Sequence, residues 1–195
     1  MKEQELQKLN NKILEEHKDK EIVLGDGTVD SSIILVGEAP GANEVKLKKP
    51  FVGQAGKHLE EFLDILELQR KELYITNTVK FRPTRISKKT GRKINRAPSK
   101  KAIESFKEYL LTEIDIIKPD FIVTLGNIPL KTLVEDSNVK IGELHGKLQK
   151  VCINNKEYIL FPLYHPAAVI YRKELKEVYY NDLYKLKEVL KKKVY

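Results

Sequence analysis

A single cysteine in 195 residues removes two kinds of chemistry at the outset. One thiol makes no internal disulfide and no cysteine-built metal site, so a reducing cytoplasm is the expected setting. The thiol itself, Cys152 in the apolar stretch Val151-Cys152-Ile153, is expected to be buried and inert. No apolar run reaches the roughly 18 residues of a membrane-spanning helix. The opening segment, "MKEQELQKLNNKILEEHK", is charged throughout and lacks a signal-peptide core, so no membrane association is expected. Glycine patterns for nucleotides are missing too. "GQAGK" at 53–57 has the wrong spacing for a phosphate loop, and "GEAPG" is not a dinucleotide fingerprint. No serine or cysteine sits in a recognisable nucleophile turn, which argues against triad chemistry.

What remains is a globular, polar-surfaced composition, 41% hydrophobic and 33% charged, read as one domain over residues 1–195. The net charge of +8 favours a polyanionic partner. Its distribution says more than its total. Lys46, Lys48 and Lys49 lie within one glycine-rich motif, and the stretch from Lys80 to Arg96 carries many cations and no acid. That stretch, with residues 83–98 read as the one long irregular segment, is expected to meet phosphates or to be a solvated loop.

Apolar periodicity predicts helices over 2–18, through Leu59–Leu66, through Ile103–Ile117 with Ser99 as its cap, after Asn127, and over about 173–193. Strands are predicted at 32–36, 73–76, 121–125 and 158–163, the last entered by a hairpin turning at Asn154-Asn155. "GDG" at 25–27 reads as a turn. The alternation implies an α/β fold, a three-layer α/β/α sandwich around a mostly parallel four-stranded sheet. Ligands bind beyond the carboxyl ends of such strands. There the sequence places Gly37-Glu38, Asn77, Gly126-Asn127 and Tyr164-His165-Pro166. An amide, an imidazole and carboxylates beside Phe51 suit a heterocyclic base: the amide matches adjacent donors and acceptors on a base edge, and the ring offers a stacking face. Gly37, Gly41 and Gly53 permit close backbone approach.

In order and near-constant spacing, "GEAPGANE…PFVGQAGKHL", "LYITNTVKFRP…NRAPS", "IVTLGN" and "YHPAAV" closely resemble the family 4 uracil-DNA glycosylases, the bacterial and archaeal iron–sulfur type. The resemblance implies a DNA glycosylase that hydrolyses the N-glycosidic bond of uracil in single- or double-stranded DNA during base excision repair, working as a monomer. A catalytically weak or inactive uracil- or damage-binding protein, and a glycosylase for another deaminated base such as hypoxanthine, are the alternatives. It implies uracil binding by Gly37, Phe51 and Asn77. It implies catalysis by His165, donating to the pyrimidine oxygen, with Glu44 holding water and Glu38 shaping the pocket. DNA contacts are implied at Lys49, Arg82, Arg85, Ala167 and Arg172, the last two in a run resembling the loop that enters the duplex.

The match breaks at the cofactor. That family holds a four-iron cluster on four cysteines, whereas the two internal ligand positions here match Phe81 and Phe106 and the N-terminal pair is missing. No cluster is expected; instead the two phenylalanines should touch and fill its space. Val45, where the family commonly has an acid, is a second departure.

Overall fold

The computed structural model describes residues 1–192. Its sheet is built from the row of apolar segments that periodicity marks. The parallel strands are β2 (Ile33–Gly37), β3 (Tyr74–Asn77), β6 (Phe121–Leu125) and β8 (Lys156–Leu163). Two short edge strands, β1 (Asp26–Gly27) and β7 (Gln149–Ile153), pair antiparallel to β3 and β8, so the sheet has six strands in the order β1-β3-β2-β6-β8-β7. The expectation of four strands is corrected at both edges. β1 is too short to show a period and reads as the turn "GDG", while β7 is the first arm of the expected hairpin. Asn154 and Asn155, both at positive φ (49° and 63°), make that hairpin's two-residue turn.

Period-two alternation divides the core into two halves. Ile34, Ile122 and Leu160 join Tyr74 on one face, packed against α1 (Lys2–Glu16) and α4 (Lys100–Ile117). Leu35, Val123 and Phe161 face the other way, toward α3 (Gln54–Leu66) and α8 (Leu175–Lys192). α1 stops two residues short of its predicted end at 18. α8 starts at Leu175, and position 193 lies outside the described residues. Ser99 caps α4 as expected, its hydroxyl accepting from the Ala102 amide at 3.2 Å. Asn127 does not cap α5 (Asn127–Val134); its Oδ1 accepts instead from the Ile141 amide at the start of α6 (Ile141–Leu144).

Three segments to which the sequence assigns no helix or strand are ordered elements. α2 (Ala42–Leu47) occupies the glycine-rich motif. Within 83–98, β4 (Thr84–Ile86) and β5 (Lys93–Asn95) form a separate antiparallel hairpin. α7 (Pro166–Tyr171) follows His165 directly. Cys152 is exposed rather than buried, because alternation along β7 turns Val151 and Ile153 inward and the thiol outward. Among the described residues, no helix is long and apolar enough to cross a membrane.

Candidate active site

The carboxyl ends of the central strands are tied together before any side chain is considered. Gly37 of β2 stands opposite Asn77 of β3. The chain beyond β3 continues the pairing, with the amides of Thr78 and Val79 donating to the carbonyls of Gly37 (2.9 Å) and Glu38 (3.0 Å). Beneath this junction lies a dry ion pair. Lys80, fully buried, donates to the Asn77 carbonyl (2.9 Å), to Thr76 Oγ1 (2.6 Å) and to Glu113 of α4 (2.5 Å). Burial pulls the ammonium below its ordinary value, and the Glu113 charge opposes that pull. Lys80 thus leaves the group of cations expected to meet phosphate. It props Asn77 from behind.

Above the junction is a cavity of about 430 Å³. Phe51, Asn77 and His165, from three distant parts of the chain, all line it, together with Glu44, Ala167 and Asn95. Phe51 and His165 are neighbours, with ring centroids 6.3 Å apart. The Asn77 side-chain amide has no protein partner among the described residues, so its donors and acceptor are free for a ligand. Gly37, expected to bind the base, does not line the cavity but lies buried behind Asn77 and Phe51. A Cβ there would stand 2.4 Å from Asn77 Oδ1 and 2.6 Å from Phe51 Cζ, closer than real atoms approach.

Phe51 is held at positive φ (51°), an uncommon conformation for an aromatic residue. Arg70 supplies the constraint, its guanidinium donating to the carbonyls of Phe51 (3.0 Å) and Pro50. Glu44 has a related task. One carboxylate oxygen accepts from the amide of Gly41, the N-cap of α2 (3.2 Å), and the other from Gly53, the N-cap of α3 (2.8 Å). A Cβ at either glycine would fall within 3 Å of that carboxylate, which explains the glycine at each position. The carboxylate keeps lone pairs toward the cavity.

His165 is the N-cap of α7, and its Nδ1 accepts a hydrogen bond from the Ala167 amide at 3.1 Å. An acceptor nitrogen carries no proton, so the proton of the neutral ring sits on Nε2. Burial lowers the pKa to about 4, and protonation would also break the Ala167 bond. The ring is therefore a neutral donor at physiological pH.

The other sequence candidates lie elsewhere. Glu38 does not line the cavity, and burial raises its carboxyl above the ordinary value. Lys49 sits outside it, 3.9 Å from Asp26. Arg82 reaches its rim indirectly, Nε donating to Asn95 Oδ1 at 2.7 Å. Arg85 and Arg172 are exposed and apart from it. Sequence reading missed Arg70 and Asn95. Arg70 lies in a short 3-10 turn outside every motif, while Asn95 opens the motif "NRAPS" but reaches the cavity only because the hairpin folds back.

Comparison with known proteins identifies the family. Residues 24–185 match the family model described as the uracil DNA glycosylase superfamily. The chain belongs to that superfamily. It is 38% identical over 178 residues to the type-4 uracil-DNA glycosylase of Saccharolobus solfataricus, covering 89% of this chain and 78% of that one. To the protein of the same name from Archaeoglobus fulgidus it is 37% identical over 181 residues, 91% and 86% of the two chains. To that of Thermotoga maritima it is 35% identical over 173 residues, 88% and 84%.

The cluster that the resemblance implies does not suit the residues present. Phe81 and Phe106 touch, their ring centroids 5.7 Å apart, and His17 stacks on Phe106 at 4.3 Å. Tyr109 packs edge-on against Phe106, and Ile22 bridges to Phe81. The chain has one cysteine, on β7, and no group of three metal-ligating side chains occurs among the described residues. Rings offer no thiolate to iron.

Proposed function

We propose that this chain hydrolyses the N-glycosidic bond of uracil in DNA, and that it does so as a monomer in the cytoplasm without an iron–sulfur cluster. One observation carries the proposal above the rest: a stacking ring, an unpartnered amide and an imidazole held as its Nε2–H tautomer converge on one cavity from three separate segments. In this reading the extruded base stacks on Phe51, whose ring lies against the bare backbone of Gly37. Asn77 offers its amide to adjacent donor and acceptor atoms of the base edge, a match that a base with a different edge would break.

His165 Nε2–H then donates to the pyrimidine oxygen on which charge gathers as the glycosidic bond lengthens. A neutral donor strengthens as the oxygen becomes anionic, which is the condition for stabilising the transition state more than the ground state. Bond cleavage runs ahead of water attack, leaving an oxocarbenium-like sugar. Glu44 contributes a negative charge and lone pairs that orient water. Two amide donors fix the direction of its carboxylate, which suits it to orienting water. Water adds to the sugar carbon and gives up a proton, the departed uracil anion takes up a proton in balance, and free uracil and an abasic site result.

The cations outside the cavity suit phosphate contacts, with binding that weakens steeply as salt rises. A site completed within one chain supports a monomer. The aromatic packing of Phe81, Phe106 and His17 supports a structural replacement for the cluster.

The deciding experiment incubates the purified protein with oligonucleotides carrying uracil or hypoxanthine, single-stranded and duplex, followed by alkaline cleavage. Strand breaks at uracil, abolished by Asn77→Ala, are expected. Salt-sensitive binding without breaks would favour a non-cleaving damage binder, and breaks at hypoxanthine alone would reassign the base. The purified protein should show no visible absorption band; a brown protein would refute the cluster-free state.

A further inference from the structure

We propose that the β4–β5 hairpin is a second, partly apolar nucleic-acid contact. In it Ile86 packs on the base or sugar next to the extruded nucleotide, and Lys93 meets the adjoining phosphate. The proposal rests on the reading of the chain as a DNA-acting enzyme. It adds a contact that no motif marks.

Pairing in the hairpin sets its two faces. Thr84 stands opposite Asn95 and Ile86 opposite Lys93, while Arg85 stands opposite Ile94 between them. Directly opposed residues on antiparallel strands share a face, and the face alternates along each strand. Asn95, Thr84, Ile86 and Lys93 therefore form one surface, with Arg85 and Ile94 on the other. Asn95 is fixed at the cavity: it lines the wall, its Oδ1 accepts from Arg82 Nε, and its Nδ2 lies 3.5 Å from where a Gly41 Cβ would be. Two residues of strand span about 7 Å, so Ile86 and Lys93 continue the cavity wall outward by roughly one nucleotide's reach.

Ile86 is 59% exposed. A single exposed apolar side chain is ordinary on a protein surface, but here position speaks against accident. The hairpin's half-buried Ile94 is on the opposite face, so Ile86 is not needed to pack it. Its cross-strand neighbour is a cation, and its strand leads into a base-sized cavity.

Charge selects the occupant. Between Arg82 and Arg96 there are seven cations and no acid. A polyanion fits this ribbon, and among polyanions a nucleic-acid strand also presents planar apolar faces once a base has left the stack. Apolar side chains placed against unstacked bases are a recurring means of holding distorted DNA.

Binding of the full-length protein to a uracil-free single-stranded oligonucleotide, followed by fluorescence anisotropy across a salt series, tests the contact without requiring catalysis. Ile86→Ser should weaken binding roughly ten-fold at every salt concentration. The slope of log affinity against log salt should stay unchanged, because no charge is lost. Lys93→Gln should reduce that slope by about one. Leu148→Ser, which removes another exposed apolar side chain that does not line the cavity, should leave binding unchanged. Wild-type affinity in Ile86→Ser would overturn the proposal, as would an equal loss in Leu148→Ser. A change in sedimentation of Ile86→Ser with binding intact would assign the residue to contact between copies of the chain and overturn it too. Failure to release uracil while these differences persist would count against the glycosylase reading and leave the hairpin contact standing.

Discussion

His165 owes its usefulness to being difficult to protonate. A free imidazole titrates near 6.5, but this one is shifted to about 4 by burial, with Nδ1 engaged by the Ala167 amide. The kcat/KM profile should therefore show no acid limb near pH 6.5 that His165→Gln removes. The same shift makes a stability statement. Between pH 6.5 and about 4 the unfolded chain binds a proton at this residue that the folded chain refuses. The contribution is fully present above 6.5 and is lost as pH falls toward 4. Thermal melts of wild type and His165→Gln should accordingly converge on acidification. His165→Ala should cost about 2.7–4 kcal/mol of transition-state stabilisation, a hundred- to a thousand-fold in kcat. Gly37 permits a second test at this scale. A methyl group there would collide with both Asn77 Oδ1 and Phe51 Cζ. Gly37→Ala is expected to lower kcat/KM at least ten-fold while costing about 1–3 kcal/mol of stability, measured by uracil release beside denaturant melts.

At the scale of elements, the cavity exists because short helices begin where strands end. Glu44 joins the starts of α2 and α3, and His165 starts α7. Glu44→Gln leaves one acceptor oxygen for two amides and turns an NH₂ group toward one of them. The loss should be about 1–3 kcal/mol in a chemical-denaturation experiment, with activity falling further than the folded fraction because both walls loosen. How much of this was legible in the sequence follows from the range of each signal. The parallel strands announced themselves through apolar runs, and with them the positions of Gly37, Asn77 and His165 at the strand ends. Ser99 and the Asn154-Asn155 turn were legible because capping and tight turns are decided within a few residues. The edge strand β1, the β4–β5 hairpin and α2 were not, since each is too short to show a period. Arg70 was invisible because its partners lie 19 and 20 residues earlier, and no local pattern pairs them.

Across the whole molecule, one buried ion pair connects the site to the core. Lys80 read as one more cation in a basic stretch, yet it is wholly enclosed; the clue was Glu113, an acid within the apolar stripe of Leu110, Ile114 and Ile117. The pair spans the junction between β3 and α4 and fixes the carbonyl of Asn77, so the side-chain amide proposed to read the base is positioned from the opposite layer. Removing one partner strands a charge without water. Lys80→Met should cost about 3–5 kcal/mol, seen as a lowered denaturant midpoint. The double variant Lys80→Met with Glu113→Gln should recover much of that loss, because it buries no charge. The new side-chain amide can still accept from Tyr74 or Thr76, the present partners of Glu113. Activity should separate from stability in this pair. If Lys80 positions Asn77, the double variant refolds well but retains a raised KM for uracil-containing strands, since nothing replaces the bond to the Asn77 carbonyl. A double variant with wild-type KM would reduce the ion pair to a structural role alone.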